Sequence, residues 1–257
     1  MVVPWINVDQ LGRWLTAWNI TVVPSWLLTV QDEHCDGCAR TKNRGVDIAV
    51  DAGAEVVVIL DDDCFPTQWT LEQHARLHME CLAPQAVESM FVAVTDPPSR
   101  GTPYFDRSVT MPVAASMGFW KGIGDYDAAR QLAHREAPMV YDYQTIHGRY
   151  FPLCGMNVAF RPAEWDPWWR FVDVPRFDDI WSGWMWQREA YDRGCCFNLN
   201  GPEIRHVRQS NPWRNLQVEA RHLEVNETLW KQIAVHPDPT YENLSRLLPS
   251  DPGGSDR

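Results

Sequence analysis

Asp61-Asp62-Asp63 is the stretch whose residue types most directly suggest chemistry. Three adjacent carboxylates repel one another, and none settles in a low-dielectric setting without a cation nearby. A hard divalent ion with oxygen ligands is the natural candidate, and it would in turn hold phosphates. Asp also serves turns by accepting local backbone hydrogen bonds, so the triplet alone does not decide between the two uses. Other segments carry similar potential. Asp32 follows an apolar run, Arg40-Thr41-Lys42-Asn43-Arg44-Gly45 is a basic knot, and Asp178-Asp179 stand before a helical pattern.

Elements must deliver these groups. Val56-Val57-Val58-Ile59-Leu60 is short, apolar and β-branched, the signature of a buried strand that ends at Asp61. Residues 2–6 read as a first strand and 9–18 as a helix with Leu11, Trp14, Leu15 and Trp18 on one face. Residues 20–23 and 26–30 are apolar and β-rich, ending at Gln31-Asp32, and 46–52 read as a helix. Strand, helix, strand, helix, strand is a parallel, Rossmann-like half. Open sheets of that kind bind ligands beyond the carboxyl ends of their strands, where these aspartates fall.

Further along, 70–82 reads as a helix whose His74 and His78 share a face, more simply a solvent face than a metal site. Residues 91–94 and 151–160 have strand character, and Gly118 to Asp127 reads as a pocket-building loop. A helix opens at Asp178, placed as its N-cap, runs to Tyr191 and stops at Gly194. Residues 204–207 read as a strand, 216–233 as a helix and 249–257 as a frayed tail.

Composition narrows the partners. A net charge of −11 opposes non-specific attraction to nucleic acid or anionic lipid. No run approaches the apolar length that spans a bilayer, and the first residues lack a signal-peptide pattern, so a soluble, cytoplasmic protein is expected. The fourteen tryptophans imply a rigid core or aromatic walls around a ligand. Seven scattered cysteines do not form a disulfide framework. Cys35 and Cys38 make a C-x-x-C pair with no well-spaced second pair, so free thiols are expected over zinc.

Taken in order, the motifs resemble those of the reversibly glycosylated polypeptides, the UDP-arabinopyranose mutase family. The resemblance rests on Val30-Gln31-Asp32, residues 59–65, Leu71-Glu72-Gln73-His74 and Gly118-Phe119-Trp120. It continues through Asp125-Tyr126-Asp127-Ala128, residues 151–160, Phe177-Asp178-Asp179-Ile180-Trp181-Ser182-Gly183-Trp184, His206 and Ser210-Asn211-Pro212. It implies one α/β domain of GT-A type, Rossmann-like, with a mostly parallel central sheet. Residues 1–233 would form it, 1–95 the nucleotide half and 96–233 the sugar and acceptor half, followed by an extension over 234–257.

The same resemblance implies roles. Asp61 and Asp63 would hold Mn²⁺ or Mg²⁺ against a diphosphate, with His206 as third ligand and Asp62 turned toward the sugar. Asp32 would read the uracil imide, and Lys42 and Arg44 the ribose or phosphate. Trp120, Asp125, Gly155 and Asn157 complete the substrate side. Arg107, at the end of Gly101-Thr102-Pro103-Tyr104-Phe105-Asp106-Arg107, would carry reversible glycosylation, with Asp178 and Asp179 orienting it or acting as base. The implied partner is a UDP-sugar, in a mutase that interconverts ring forms of a UDP-pentose. A transferase acting on an external saccharide or modified base shares the donor site and stays open, as does a homo-oligomer. The chain is shorter than the plant proteins, and 161–177 is richer in Trp and Pro, on the sugar side.

Overall fold

A computed structural model describes residues 1–33, 38–66, 70–79, 85–86, 100, 110–134, 144–207 and 211–249. The first half is the expected alternation: β1 (Val2–Trp5), α1 (Val8–Ala17), β2 (Leu28–Gln31), α2 (Cys38–Asp51) and β3 (Val57–Leu60). β1 lies between β2 and β3 and runs parallel to both. All four residues of β3 are buried, each side chain contributing about 1.5–3 kcal/mol on leaving water. Residues 20–23, expected as strand, form no strand, and Val22 and Val23 are exposed there.

Local chemistry sets the helices. Asn7 caps α1 by accepting the amides of Asp9 and Gln10, and buried Trp14 donates its indole N–H to the Cys64 carbonyl at 2.8 Å. α2 takes in the basic knot and packs on the sheet through Gly45, where a Cβ would stand 2.5 Å from Val2 Cγ1.

The chain continues through β4 (Cys64–Pro66), α3 (Thr70–Met79), β5 (Gln85–Ala86), β6 (Thr110–Met111), β7 (Val113–Gly122) and α4 (Ala128–His134). Then come β8 (Thr145–Ile146), β9 (Asn157–Phe160), α5 (Pro162–Trp165), α6 (Asp178–Asp192), β10 (Cys196–His206), α7 (Pro212–Val235) and α8 (Tyr241–Ser245). The sheet order is β2-β1-β3-β9-β7-β10-β4, with β8 also on β10. β1, β2, β3, β7 and β10 run one way; β9, β4 and β8 run against them.

Two expectations change here. Gly118 to Gly122 is not loop but the end of β7, and only Ile123 to Asp127 leaves the sheet. Glycine marks close strand approach instead: a Cβ on Gly118 would meet the Pro202 carbonyl oxygen at 2.0 Å, beside irregular β7–β10 pairing. Asp178 is the first residue of α6 rather than its cap, which is Phe177, and Gly194 ends that helix with φ +70°. The core is aromatic: Trp14, Trp120, Trp165, Trp168, Trp169, Trp181, Trp184 and Trp186 are buried. The strand expected over 91–94 and the tail beyond 249 lie outside the described residues. Among the described residues no helix is long and apolar enough to cross a membrane.

Candidate functional site

The carboxyl ends of β1, β2 and β3 open into one cleft of ≈ 250 Å³. Pro4, Trp5 and Ile6 line it from β1, Asp32 from β2, Asp61, Asp62 and Asp63 from β3, and Cys38 and Thr41 from α2. This is the crevice where strand order reverses, with β2 on one side of β1 and β3 on the other. Four carboxylates expected from sequence to bind a ligand thus share one cavity. Asp32 is buried at the end furthest along β2. Arg44 is exposed and donates to the Gln31 carbonyl, just before Asp32.

Lys42 belongs to this cluster in an unexpected way. Its side chain is only 3% exposed, and its Nζ lies 2.7 Å from Oδ1 of Asp61. The ammonium also donates to the Gly155 carbonyl at 3.2 Å and stands 5.4 Å from the centre of the Phe171 ring. Burial alone would lower its pKa, but Asp61, with Cys38, Asp178 and Asp179 adding, holds it well above the ordinary value.

The carboxylates show the opposite strain. Burial, then the charges of Asp63 and Asp61, push Asp62 up to about 7. Burial and the neighbouring Asp179 push Asp178 to about 7. Asp61 and Asp179 are raised too, chiefly by burial, with Lys42 pulling each back. Asp179 is fixed in place: its Oδ2 accepts the Gly155 amide at 2.7 Å, and its Oδ1 accepts the Ile180 amide at 2.8 Å. Gly155 has no room for a side chain, since a Cβ would stand 2.7 Å from Phe171 Cε1.

On the other flank, β10 brings His206 within 3.5 Å of Asp63, Nε2 to Oδ2. The ring is oriented from behind by donating Nδ1–H to the Ile123 carbonyl at 2.8 Å. Ligating histidines use such a bond to fix their tautomer. Burial opposes charge on His206, yet Asp63, with the Ile123 carbonyl and Asp125, raises its pKa. Asp125 is raised by burial against the pull of His206 and Arg176, and Cys154 Sγ lies 3.6 Å from its Oδ2.

Carboxylate oxygens and an imidazole are the right donor set for Mn²⁺ or Mg²⁺. The three expected ligands stand as two parts, however: Asp63 faces His206, while Asp61 leans on Lys42. Among the described residues no three His, Cys, Asp or Glu side chains are gathered to hold an ion. The donors fit the ion chemically, and a surplus of raised carboxylates over cations is what such an ion would relieve.

Other expected residues sit elsewhere. Asn157 is fully buried on β9; its Nδ2 donates to the Pro202 carbonyl at 2.8 Å and its Oδ1 meets Nε2 of His74 at 2.8 Å. This directs Asn157 into the sheet rather than toward a substrate. His74, expected on a solvent face, is buried, touches Ser116 Oγ through Nδ1 at 3.1 Å and has its pKa lowered to about 4 by that burial. The side chain of His78 lies outside the described residues. Trp120 is 6% exposed on β7, packed edge-on against Phe119. Arg107 and Cys35 fall outside the described residues, and Cys38 is a free thiol. Phe171, beneath Lys42, had no signal in the sequence beyond being aromatic.

The chain matches the family described as reversibly glycosylated polypeptide over residues 52–234. It is 34% identical to "Probable UDP-arabinopyranose mutase 1" of Pisum sativum, over 63% of this chain and 50% of the relative. It is 31% identical to "UDP-arabinopyranose mutase 1" of Arabidopsis thaliana, over 75% of this chain and 61% of the relative. "UDP-arabinopyranose mutase 3" of Arabidopsis thaliana is 31% identical over 70% of this chain and 53% of the relative. The chain therefore spans 50% to 61% of the length of these relatives. Among solved structures, "Crystal structure of GalNAc-T7 with UDP, GalNAc and Mn2+" aligns at 11% identity and a TM-score of 0.39, over 96% of this chain and 52% of that one.

Proposed function

This chain belongs to the reversibly glycosylated polypeptide family, and we propose that it is a metal-dependent UDP-sugar mutase that interconverts the pyranose and furanose forms of a UDP-pentose. The observation that carries the proposal is the single cleft in which Asp32 stands with Asp61, Asp62 and Asp63 at the ends of parallel strands. The relatives' names, each a UDP-arabinopyranose mutase, supply the substrate class.

The roles are those the family resemblance implies, Arg107 among them. Asp32 receives the imide N–H of uracil, and Asp61, Asp63 and His206 hold Mn²⁺ or Mg²⁺. The ion, when bound, offsets the charge that develops on the leaving diphosphate. Cleavage of the bond between C1 and phosphate oxygen frees UDP and leaves an oxocarbenium-like carbon. Arg107 catches that carbon through a guanidinium nitrogen, which must lose a proton as the new C–N bond forms. Asp178, whose burial beside Asp179 raises its pKa to about 7, is the proton carrier in this reading. While C1 stays bonded to the arginine nitrogen, its bond to one ring oxygen opens and the other hydroxyl oxygen closes on it, the proton passing from the closing oxygen to the released one. A phosphate oxygen of UDP then displaces the nitrogen, which regains its proton, and a UDP-sugar of altered ring size results.

Incubation with UDP-arabinopyranose and Mn²⁺, with no acceptor present, tests this. Furanose isomer is the expected product, and chelation with EDTA should abolish it. UDP released only when a saccharide acceptor is added would establish a transferase instead.

A further inference from the structure

We propose that Lys42 is the resident counter-ion of the cleft, neutralising Asp61 until a divalent cation takes over that task, and is not a contact for ribose or phosphate. The proposal rests on the metal-dependent reading above. Its support is geometric. A side chain only 3% exposed, wedged between Asp61 and the Gly155 carbonyl over the Phe171 ring, has no free face to offer a nucleotide. Asp61, by contrast, keeps 25% of its side chain exposed, so the edge not held by Lys42 stays open to the cleft. A buried ammonium without water must be compensated by a carboxylate, and removing one partner leaves the other stranded.

Two effects of opposite sign follow. Without metal, Lys42 stabilises the fold by offsetting the crowded aspartates. With metal, it is a like charge beside the incoming ion and weakens its binding. A site that is stable when empty and still able to accept an ion needs both.

Lys42→Met keeps the stem against Phe171 and deletes the charge. The expected result is a lower thermal midpoint in EDTA and Mn²⁺ binding tighter by about tenfold or more, a like charge a few ångströms away being worth that much even when screened. Free Mn²⁺ counted by EPR, without UDP-sugar, gives the affinity, and thermal unfolding in EDTA and in Mn²⁺ gives the stability. Wild type and variant binding Mn²⁺ equally would overturn the proposal while leaving the metal reading intact. Absence of Mn²⁺ binding by both would overturn the metal reading and this proposal with it. Should Lys42→Met fail to fold, Lys42→Met combined with Asp61→Asn removes both charges and should regain most of the wild-type midpoint in EDTA. A double variant that stays unfolded would assign Lys42 to packing and overturn the proposal.

Discussion

Oδ2 of Asp179 accepts the amide of Gly155 at 2.7 Å, and this bond ties the first turn of α6 to the chain that enters β9. The same glycine's carbonyl accepts a hydrogen bond from the Lys42 ammonium, so one residue links the helix start to the acidic cleft. The neighbouring Asp178 has no such tie across the fold among the hydrogen bonds described; within its own helix the Ser182 hydroxyl donates to its carbonyl. On the mechanism proposed above, the two adjacent carboxylates divide the work, Asp179 in structure and Asp178 in proton transfer. Asp179→Ala should lower unfolding free energy by about 1–3 kcal/mol, the usual cost of orphaning a buried donor, as read by urea denaturation. Asp178→Asn should leave stability close to wild type and cut kcat by about 100-fold or more, since it removes a proton carrier. Equal stability losses in the two variants would refute the division.

The pH dependence follows from Asp62. Its folded pKa of about 7 stands above the ordinary carboxylate value, so the folded state retains a proton that the unfolded chain has released. Its contribution is complete below about pH 4 and is lost as pH rises through 7. Asp62→Asn should thus stabilise the metal-free protein at pH 8 by on the order of 1–2 kcal/mol, allowing for partial exposure, and make no difference near pH 4. His74 acts in the other direction: its pKa is lowered to about 4, so its contribution is lost as pH falls from about 6.5. Denaturation curves in EDTA at pH 4, 6 and 8 separate the two, because only the Asp62 part disappears in the variant.

Asn157 is a test of where the substrate is not. Its amide has one consistent orientation: Nδ2 must donate to the Pro202 carbonyl, so Oδ1 accepts from Nε2–H of His74. His74 then accepts the Ser116 hydroxyl at Nδ1. Asn157→Ala would leave the histidine donor and the Pro202 carbonyl without this partner at a fully buried position, at a cost of about 2–4 kcal/mol. The KM for UDP-sugar in the folded variant should stay at the wild-type value. A large rise in KM without loss of stability would return Asn157 to the binding site.

These residues also show what the sequence could and could not convey. The order β1, α1, β2, α2, β3 was readable because apolar runs of strand length alternate with a 3.6-residue pattern, and each acidic strand end follows from it. His74 was misassigned because a helical pattern gives a face but not which face meets a sheet; the partners that accept it, Ser116 and Asn157, are distant in sequence. Glycine and aromatics around Gly118 read as loop, whereas only β10 crossing closely beside β7 explains a glycine inside a strand. Lys42 was visible as a charge near the site. Its burial depends on Phe171, Gly155 and Asp61 meeting around it, and no local pattern encodes that meeting.

Base selection should depend on Asp32, which is buried at the far wall of the cleft from β3. A carboxylate there only accepts hydrogen bonds, which suits the N3–H of uracil and leaves the bare N3 of cytosine facing negative charge. Asp32→Asn presents an amide that can turn either way, accepting from uracil or donating to cytosine. Its affinity for UDP should fall by about tenfold, the cost of exchanging a charged hydrogen bond for a neutral one, and its affinity for CDP should rise. The UDP-to-CDP affinity ratio, measured by calorimetry with Mn²⁺ present, would then narrow from both sides. Loss of affinity for both nucleotides in equal measure would mean that Asp32 shapes the cleft without reading the base. An unchanged ratio with unchanged affinities would place the base outside this cleft altogether.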